Sequence, residues 1–275
     1  MIGQVYTEKA SNFCEQKMKN IRTNRIFTDP GLGLLQQDLR TYNSEDYKVW
    51  EILFKKQSKK LRSVAAQEYL AGFKSLHLSE EKIVNLKEAS YRLGMNTGWR
   101  VQVVPGRVSD SLFFTLLQAK KFPVTSWLRK LDELDFPVAP DLFHDAFGHL
   151  PLLMNQSFSQ FLEGLSTISL KYIDNPLALE LLERVYWYTV EFGLIREKNG
   201  LKAYGAGILS SSGEMYYSLS GEPKHCVYKV EEVLNTPFWK NMFQDKYFIV
   251  NSFEELRDSL PLIEEKVATL LQKAE

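Results

Sequence analysis

The sequence predicts an α+β fold, mainly α-helical with a minor β-sheet, and three observations carry that expectation. From Ser44 onward, apolar residues recur at helical spacing over most of the chain. One stretch, Trp99 to Val104, alternates as a half-buried strand does. After Gly200, the glycines at Gly205, Gly207 and Gly213 punctuate a region that reads as short strands.

The first forty residues are irregular, with Asp29-Pro30-Gly31 as a turn, and residues 1–43 are expected to form a peripheral arm. Residues 44–275 contain no Gly/Ser/Pro-rich linker and no internal repeat, so a single domain is expected there. Its first helix starts near Ser44 with Tyr47, Trp50, Phe54 and Leu61 on one face; a second carries Val64, Tyr69, Leu70 and Phe73. Ser79, followed by Glu80 and Glu81, has the form of an N-cap for a third helix, apolar at Ile83, Leu86 and Leu93 and stopped by Gly94. After the strand and its closing Pro105-Gly106, Asp110 is placed to cap the helix that opens Ser111-Leu112-Phe113-Phe114. Another helix should follow Pro140 and run to Gly148, with Asp141 as its cap. Longer helices are expected over 157–171 and 177–194, broken at Asn175-Pro176. Ser252-Phe253-Glu254-Glu255 has the capping-box pattern of a final helix.

Composition narrows the function classes. Thirty-four basic residues balance thirty-four acidic ones, so no bulk field draws the chain to nucleic acid or an anionic membrane. Cys14 and Cys226 are too few and too far apart for a disulfide framework or a CxxC motif. The first twenty residues lack an apolar signal core, and no apolar run reaches the length of a membrane span. These features predict a reduced, cytoplasmic, soluble protein.

The chemistry concentrates in two histidines and one acid. His144 and His149 lie in Pro140-Asp141-Leu142-Phe143-His144-Asp145-Ala146-Phe147-Gly148-His149, and Glu191 follows about forty residues later. Two imidazoles and a carboxylate, with coordination positions left free, form the ligand set of non-haem Fe(II) oxygenases. At about 100° per residue, a spacing of five would separate the rings around a regular helix. The second ligand must therefore sit where the helix ends or distorts, which Gly148 makes easy. The plainer alternative makes His144 a capping or packed residue and His149 a buried, hydrogen-bonded one. Asp145 is placed either to orient metal-bound water and the ligands, or to be a solvated helix acid. His77 and His225 lack comparable surroundings and read as structural or surface groups.

Four segments in order, Thr97 to Arg100, Pro140 to Leu153, Tyr186 to Leu194 and Ala203 to Ser211, resemble the pterin-dependent aromatic amino acid hydroxylases. Asp145, where animal members have Glu, is the form of the bacterial branch that acts on phenylalanine. The resemblance spans about Ser44 to Phe253 and implies that family's catalytic-domain fold for residues 44–275. It implies His144, His149 and Glu191 as ligands of Fe(II), and tetrahydrobiopterin or a related tetrahydropterin as the electron donor. The implied reaction is O2-dependent hydroxylation of a free aromatic amino acid, phenylalanine to tyrosine first and tryptophan 5-hydroxylation as the alternative.

The same resemblance makes Arg129 the partner of the substrate carboxylate, with Asp141 as buttress to that arginine or to a histidine ligand. Trp187 and Phe192 become walls of the ring pocket, and Gly207 and Ser210 line the amino-acid site, with Glu214 one turn beyond. Gly106, Val108 and Phe113 fall on the pterin loop, Phe113 as its stacking ring, and Asp145 and Tyr186 lie close to the iron. Arg107, Asp110 and Ser111 depart from the animal pattern, as does Pro137-Val138-Ala139 at the substrate lip. With neither a sensing domain nor a long heptad tail in view, a monomer or weak homodimer is expected. Two rivals stand beside this reading: a zinc hydrolase using the same three ligands, and a non-catalytic amino-acid- or pterin-binding protein.

Overall fold

The computed structural model describes residues 35–134, 139–240 and 242–274. The turn at Asp29-Pro30-Gly31, Cys14, most of the expected arm, and Pro137 and Val138 lie outside the described residues. Helix α1 (Ser44–Val64) opens on Asn43, whose carboxamide accepts from the Glu45 and Asp46 backbones while Asp46 accepts from Asn43 N–H, a reciprocal capping box. Trp50, Phe54 and Leu61 face the core as expected, whereas Tyr47, in the first turn at the edge of that stripe, is 44% exposed. Helix α2 (Gln67–Leu76) stops at His77, which takes the left-handed conformation that ends many helices.

The third helix departs from expectation. α3 spans Leu86–Asn96 and begins seven residues after Ser79, because Asn85 accepts from the Lys87 and Glu88 amides while Gln37 accepts from Leu86. The Ser79 carbonyl is taken by the Trp50 indole N–H, which fixes the preceding bend. Gly94 lies inside this helix rather than stopping it; a Cβ there would fall 0.7 Å from Nη1 of Arg100, so the glycine makes room for that guanidinium.

Strand β1 (Arg100–Val104), helix α4 (Asp110–Gln118) and strand β2 (Lys121–Thr125) form a parallel strand–helix–strand unit, Val101 registering with Phe122 and Val104 with Thr125. Ser109, not Asp110, caps α4 through its hydroxyl. Strand β2 was not expected; Pro123 within it argues against a central strand but fits this two-stranded sheet, where every strand is an edge.

Helix α5 (Gln156–Lys171) crosses the core beside α4. The helix expected over 177–194 is shorter: α6 (Pro176–Tyr186) gives way to a π-helical turn, Trp187–Glu191, and Leu194 already belongs to strand β3 (Leu194–Glu197). β4 (Gly200–Ala203) pairs antiparallel with β3. Gly207 and Gly213, expected in strands, lie in the short helices α7 (Ala206–Leu209) and α8 (Ser212–Tyr217), and Gly205 immediately precedes α7. β5 (Lys224–Val227), α9 (Val230–Leu234) and β6 (Lys246–Val250) complete a four-stranded sheet ordered β4-β3-β6-β5.

Ser252 caps α10 (Phe253–Asp258) by accepting from Glu255, but the Glu255 carboxylate bonds Asn251, so only half of the expected box forms. A further helix, α11 (Leu260–Gln272), follows. One continuous apolar core joins these elements, including Trp50, Tyr69, Phe143, Phe147, Phe161 and Phe248. Among the described residues no helix is long and apolar enough to cross a membrane.

Candidate active site

Two π-helical turns build the site. His144–His149 is one, entered through Leu142 and Phe143; Trp187–Glu191 is the other. A π-turn closes with i→i+5 bonds, so residues five apart come round to the same side, as His144 and His149 do here. The distortion anticipated from their spacing is therefore spread over the whole segment. His144 Nε2 and His149 Nε2 are 3.1 Å apart, and Glu191 presents Oε1 3.2 Å from His149 and Oε2 3.7 Å from His144.

Local contacts hold each of the three. Asp141 accepts the His144 backbone N–H at 3.0 Å, capping the turn as expected. The Phe147 carbonyl is taken by the buried Tyr69 hydroxyl. Helix α7 lies directly against the turn: a Cβ on Gly148 would sit 2.9 Å from the Ala206 carbonyl oxygen, so only glycine permits the approach. That approach brings Ser210 to His144. Its hydroxyl donates its single proton to the Ala206 carbonyl at 2.8 Å, so it must accept from His144 Nδ1–H, also at 2.8 Å. Nε2 of His144 is thereby left as a lone pair facing His149 and Glu191. Gly207, on the same helix, donates its backbone N–H to Glu191. α7 thus clamps both π-turns at once.

Charge states agree with a cation-binding set. Burial lowers His144 to about 4 against the pull of Glu191, so the imidazole is neutral at neutral pH. Burial alone would raise Glu191, but His149, His144 and the Gly207 N–H together bring it down to about 2, leaving a carboxylate. Adjacent ligands bound about 2.1 Å from one octahedral ion stand about 3 Å apart. The donor atoms of His144, His149 and Glu191, all within 4.8 Å of one another, approach that arrangement closely enough to close on one ion. The set therefore fits the iron implied for it.

The remaining expected residues group around this centre. Asp145 does not touch the ligand rings by hydrogen bond; its carboxylate accepts from the backbone N–H and hydroxyl of Thr125, at the end of β2. Burial pushes it up to about 7 despite Thr125 and His149. Arg129 and Asp141 form a buried two-pronged pair, Nε and Nη2 each donating at 2.8 Å, and Asp141 also accepts the Arg129 backbone N–H. Asp141 thus braces the arginine and caps the turn, reaching His144 through that residue's backbone N–H. With Nη1 donating to the Leu134 carbonyl, three of the five guanidinium N–H donors are used, leaving one on each terminal nitrogen.

Trp187 and Phe192 pack ring to ring at 4.7 Å, and Phe192 lies over Gly207, where a Cβ would meet its Cζ at 2.8 Å. Ser210, expected to line the amino-acid site, has its hydroxyl engaged with His144. Phe113 meets Tyr186 edge-on at 5.7 Å, which joins the segment expected to hold pterin to the second π-turn. Burial, then Glu191 and Asp145, raise the Tyr186 phenol well above its ordinary value, so it stays protonated. Val108 is buried with Val104 beneath Phe113 and supports that ring, while Gly106 lies in the bend after β1.

Sequence reasoning missed Thr125, Phe122, Phe238 and Gln244. Phe122 packs on the His149 ring at 4.8 Å. Phe122 and Thr125 went unread because their strand did. Phe238 stacks on Trp187 at 4.5 Å and Gln244 bonds its indole, contacts across some fifty residues that carry no local signal.

Residues 37–272 match the model of the biopterin-dependent aromatic amino acid hydroxylase family. The chain is 40% identical over 228 residues to a phenylalanine-4-hydroxylase of Chromobacterium violaceum, covering 82% of this chain and 76% of that protein. It is 38% identical over 233 residues to a phenylalanine-4-hydroxylase of Pseudomonas aeruginosa, covering 85% and 87% respectively. The crystal structure of the Chromobacterium violaceum enzyme with bound iron(III) and oxidised 7,8-dihydrobiopterin superposes with a TM-score of 0.84 at 38% identity, over 90% of this chain and 89% of that one.

Proposed function

The chain belongs to the biopterin-dependent aromatic amino acid hydroxylases, and from that premise we propose that it converts L-phenylalanine to L-tyrosine. The observation that carries this reading is the convergence of His144, His149 and Glu191 on one point, with His144 neutral and Glu191 a carboxylate, as a divalent cation requires. When bound there, Fe(II) with a tetrahydropterin supplies the activation of O2, one oxygen atom going to the ring and the other to the pterin.

The chain's own residues do the positioning. Arg129 offers its two remaining N–H donors to the substrate carboxylate, while Asp141 fixes the guanidinium plane and the start of the ligand-bearing turn. Trp187 and Phe192 supply an aromatic wall for the ring, and Phe113 the face on which a flat pterin stacks. Ser210 and Gly207 orient two of the three metal ligands. Asp145 and Tyr186 keep buried polar groups beside the centre, with Tyr186 held as the phenol.

The proposed protein is cytoplasmic, one catalytic domain over residues 44–275, and a monomer or weak homodimer. An aerobic assay of Fe(II)-loaded protein with tetrahydropterin and, separately, phenylalanine, tryptophan and tyrosine tests the reaction. Tyrosine formed in step with pterin oxidation is the expected result. Hydroxytryptophan as the dominant product would reassign the substrate, and hydrolysis supported by zinc without O2 would overturn the oxygenase reading.

A further inference from the structure

The aromatic wall is anchored from a distant segment. From the end of α9 to β6 the chain crosses over α6 and the second π-turn, and four bonds tie it down. Arg184 Nη1 donates to the Leu234 carbonyl at 2.6 Å, and the Tyr188 hydroxyl donates to the Pro237 carbonyl at 2.6 Å. Lys240 pairs with Glu183 at 2.6 Å, and the Trp187 indole N–H donates to Gln244 Oε1 at 3.1 Å. Three of these hold backbone or a surface charge. Only the fourth reaches a side chain of the aromatic wall.

Gln244 is only 1% exposed, and its amide is fully committed. Nε2 donates to the carbonyls of Trp239 at 2.6 Å and Met242 at 3.1 Å, which fixes the amide plane and leaves Oε1 pointed at the indole. The Gln244 backbone N–H is held by the buried Glu214 carboxylate, which also accepts from the Tyr247 hydroxyl. The indole is caught between Phe238, stacked at 4.5 Å and 24°, and Phe192, tilted at 4.7 Å and 35°. Stacking alone lets an indole slide or rotate in its plane; a hydrogen bond to its nitrogen removes that freedom. Phe192 N–H closes the π-turn on the Trp187 carbonyl, and Glu191 stands between these two residues in sequence. The ring pocket and the metal carboxylate are thus fixed by the same turn.

We infer that Gln244 is a positioning residue for substrate selectivity, locking the Trp187 indole so that the pocket takes a single-ring aromatic amino acid in preference to a bicyclic one. This rests on the functional reading above. Gln244→Leu removes the amide, Gln244→Glu keeps an acceptor for the indole but loses both donors to the loop, and Trp187→Phe keeps the stack without the N–H. In the iron-loaded enzyme, Gln244→Leu should raise KM for phenylalanine more than it lowers kcat. It should also reduce the phenylalanine-over-tryptophan ratio of kcat/KM by about tenfold and lower the tyrosine formed per pterin oxidised. Gln244→Glu should fall between Gln244→Leu and the unsubstituted enzyme. In a Trp187→Phe background, Gln244→Leu should add nearly nothing.

A second readout does not depend on turnover. In protein labelled with 15N at tryptophan, the indole N–H resonance that Trp187→Phe deletes should shift and exchange faster in Gln244→Leu. An unmoved resonance, unchanged selectivity in folded Gln244→Leu, or a full effect that persists in the Trp187→Phe background would each overturn the inference. Absence of phenylalanine hydroxylation by the unsubstituted enzyme would strike the functional reading instead, and the indole resonance would still decide whether Gln244 holds Trp187.

Discussion

The two π-helical turns reach the same centre by different means. The first, His144–His149, delivers two proposed ligands and is held mainly by neighbours that pack or bond to its backbone: Asp141 at its start, Tyr69 on the Phe147 carbonyl, and Ala206 against Gly148. The second, Trp187–Glu191, delivers one proposed ligand and is held largely through its own side chains, Trp187 by Gln244 and Phe238 and Tyr188 by the Pro237 carbonyl. The first turn therefore resembles a rigid socket and the second an adjustable wall. Chemistry should be most sensitive at the ligands of either turn, and substrate choice most sensitive around the second.

The strongest test of this division is Glu191→Ala. It removes the only carboxylate of the ligand set, so hydroxylation should be abolished and iron retention weakened, while circular dichroism stays near that of the parent. Normal turnover would mean the ligands are misassigned. Arg129→Lys comes next: lysine cannot reproduce the fork, so KM for the amino acid should rise by tenfold or more, on the order of 1–3 kcal/mol, and an unchanged amino-acid dependence would remove that role. Because Asp141 also caps the first π-turn, a loss of iron in the same variant would show that the cap depends on its arginine.

Ser210→Ala probes the socket more gently. Without the acceptor for Nδ1–H, His144 is free to turn or change tautomer, and metal affinity should fall by about tenfold to a hundredfold. Equilibrium dialysis against Fe(II) under anaerobic conditions reads it, and unchanged affinity would put the ring under the control of packing alone.

The smallest expected effect on the chemistry lies behind the adjustable wall, at Glu214. Burial raises its carboxyl to about 7, so the folded chain keeps a proton that the unfolded chain releases above about 4.5. Stability should therefore fall as pH rises from about 4.5 to about 7, by up to a few kcal/mol. Glu214→Gln should remove that share of the slope in denaturant midpoints between pH 5 and pH 8. An identical slope in the variant would show that Glu214 stays ionised beside Tyr247.

Much of the socket was legible in the sequence, because local order carries it. His144, His149, Asp141 and Gly148 fall within one stretch, and their spacing already demanded a distorted helix. That the distortion is a π-turn was not legible, since i→i+5 and i→i+4 bonding differ in geometry rather than in residue type. Ser79 shows the limit of capping rules: it has the right neighbours, but its carbonyl was claimed by Trp50 from another helix, and Asn85 took over the cap. Leu194 was drawn into an apolar helical pattern although it begins a buried strand, a distinction that periodicity alone does not make in a short run. Gln244, between Phe243 and Asp245, carries no sequence sign of its four-way bonding, which only the folded chain assembles.

A π-turn holds one more residue than the α-turn it replaces, and this ties the form of the turn to chain length. Removing a single residue between His144 and His149 would let the segment relax to ordinary α-helical pairing without changing either histidine. The two would then be four apart, a spacing that an α-turn brings to one face just as a π-turn does a spacing of five. The turn is thus written in the number of residues as much as in their identity. A relative one residue shorter here would be expected to carry an α-turn in place of the π-turn and still turn both histidines to one side.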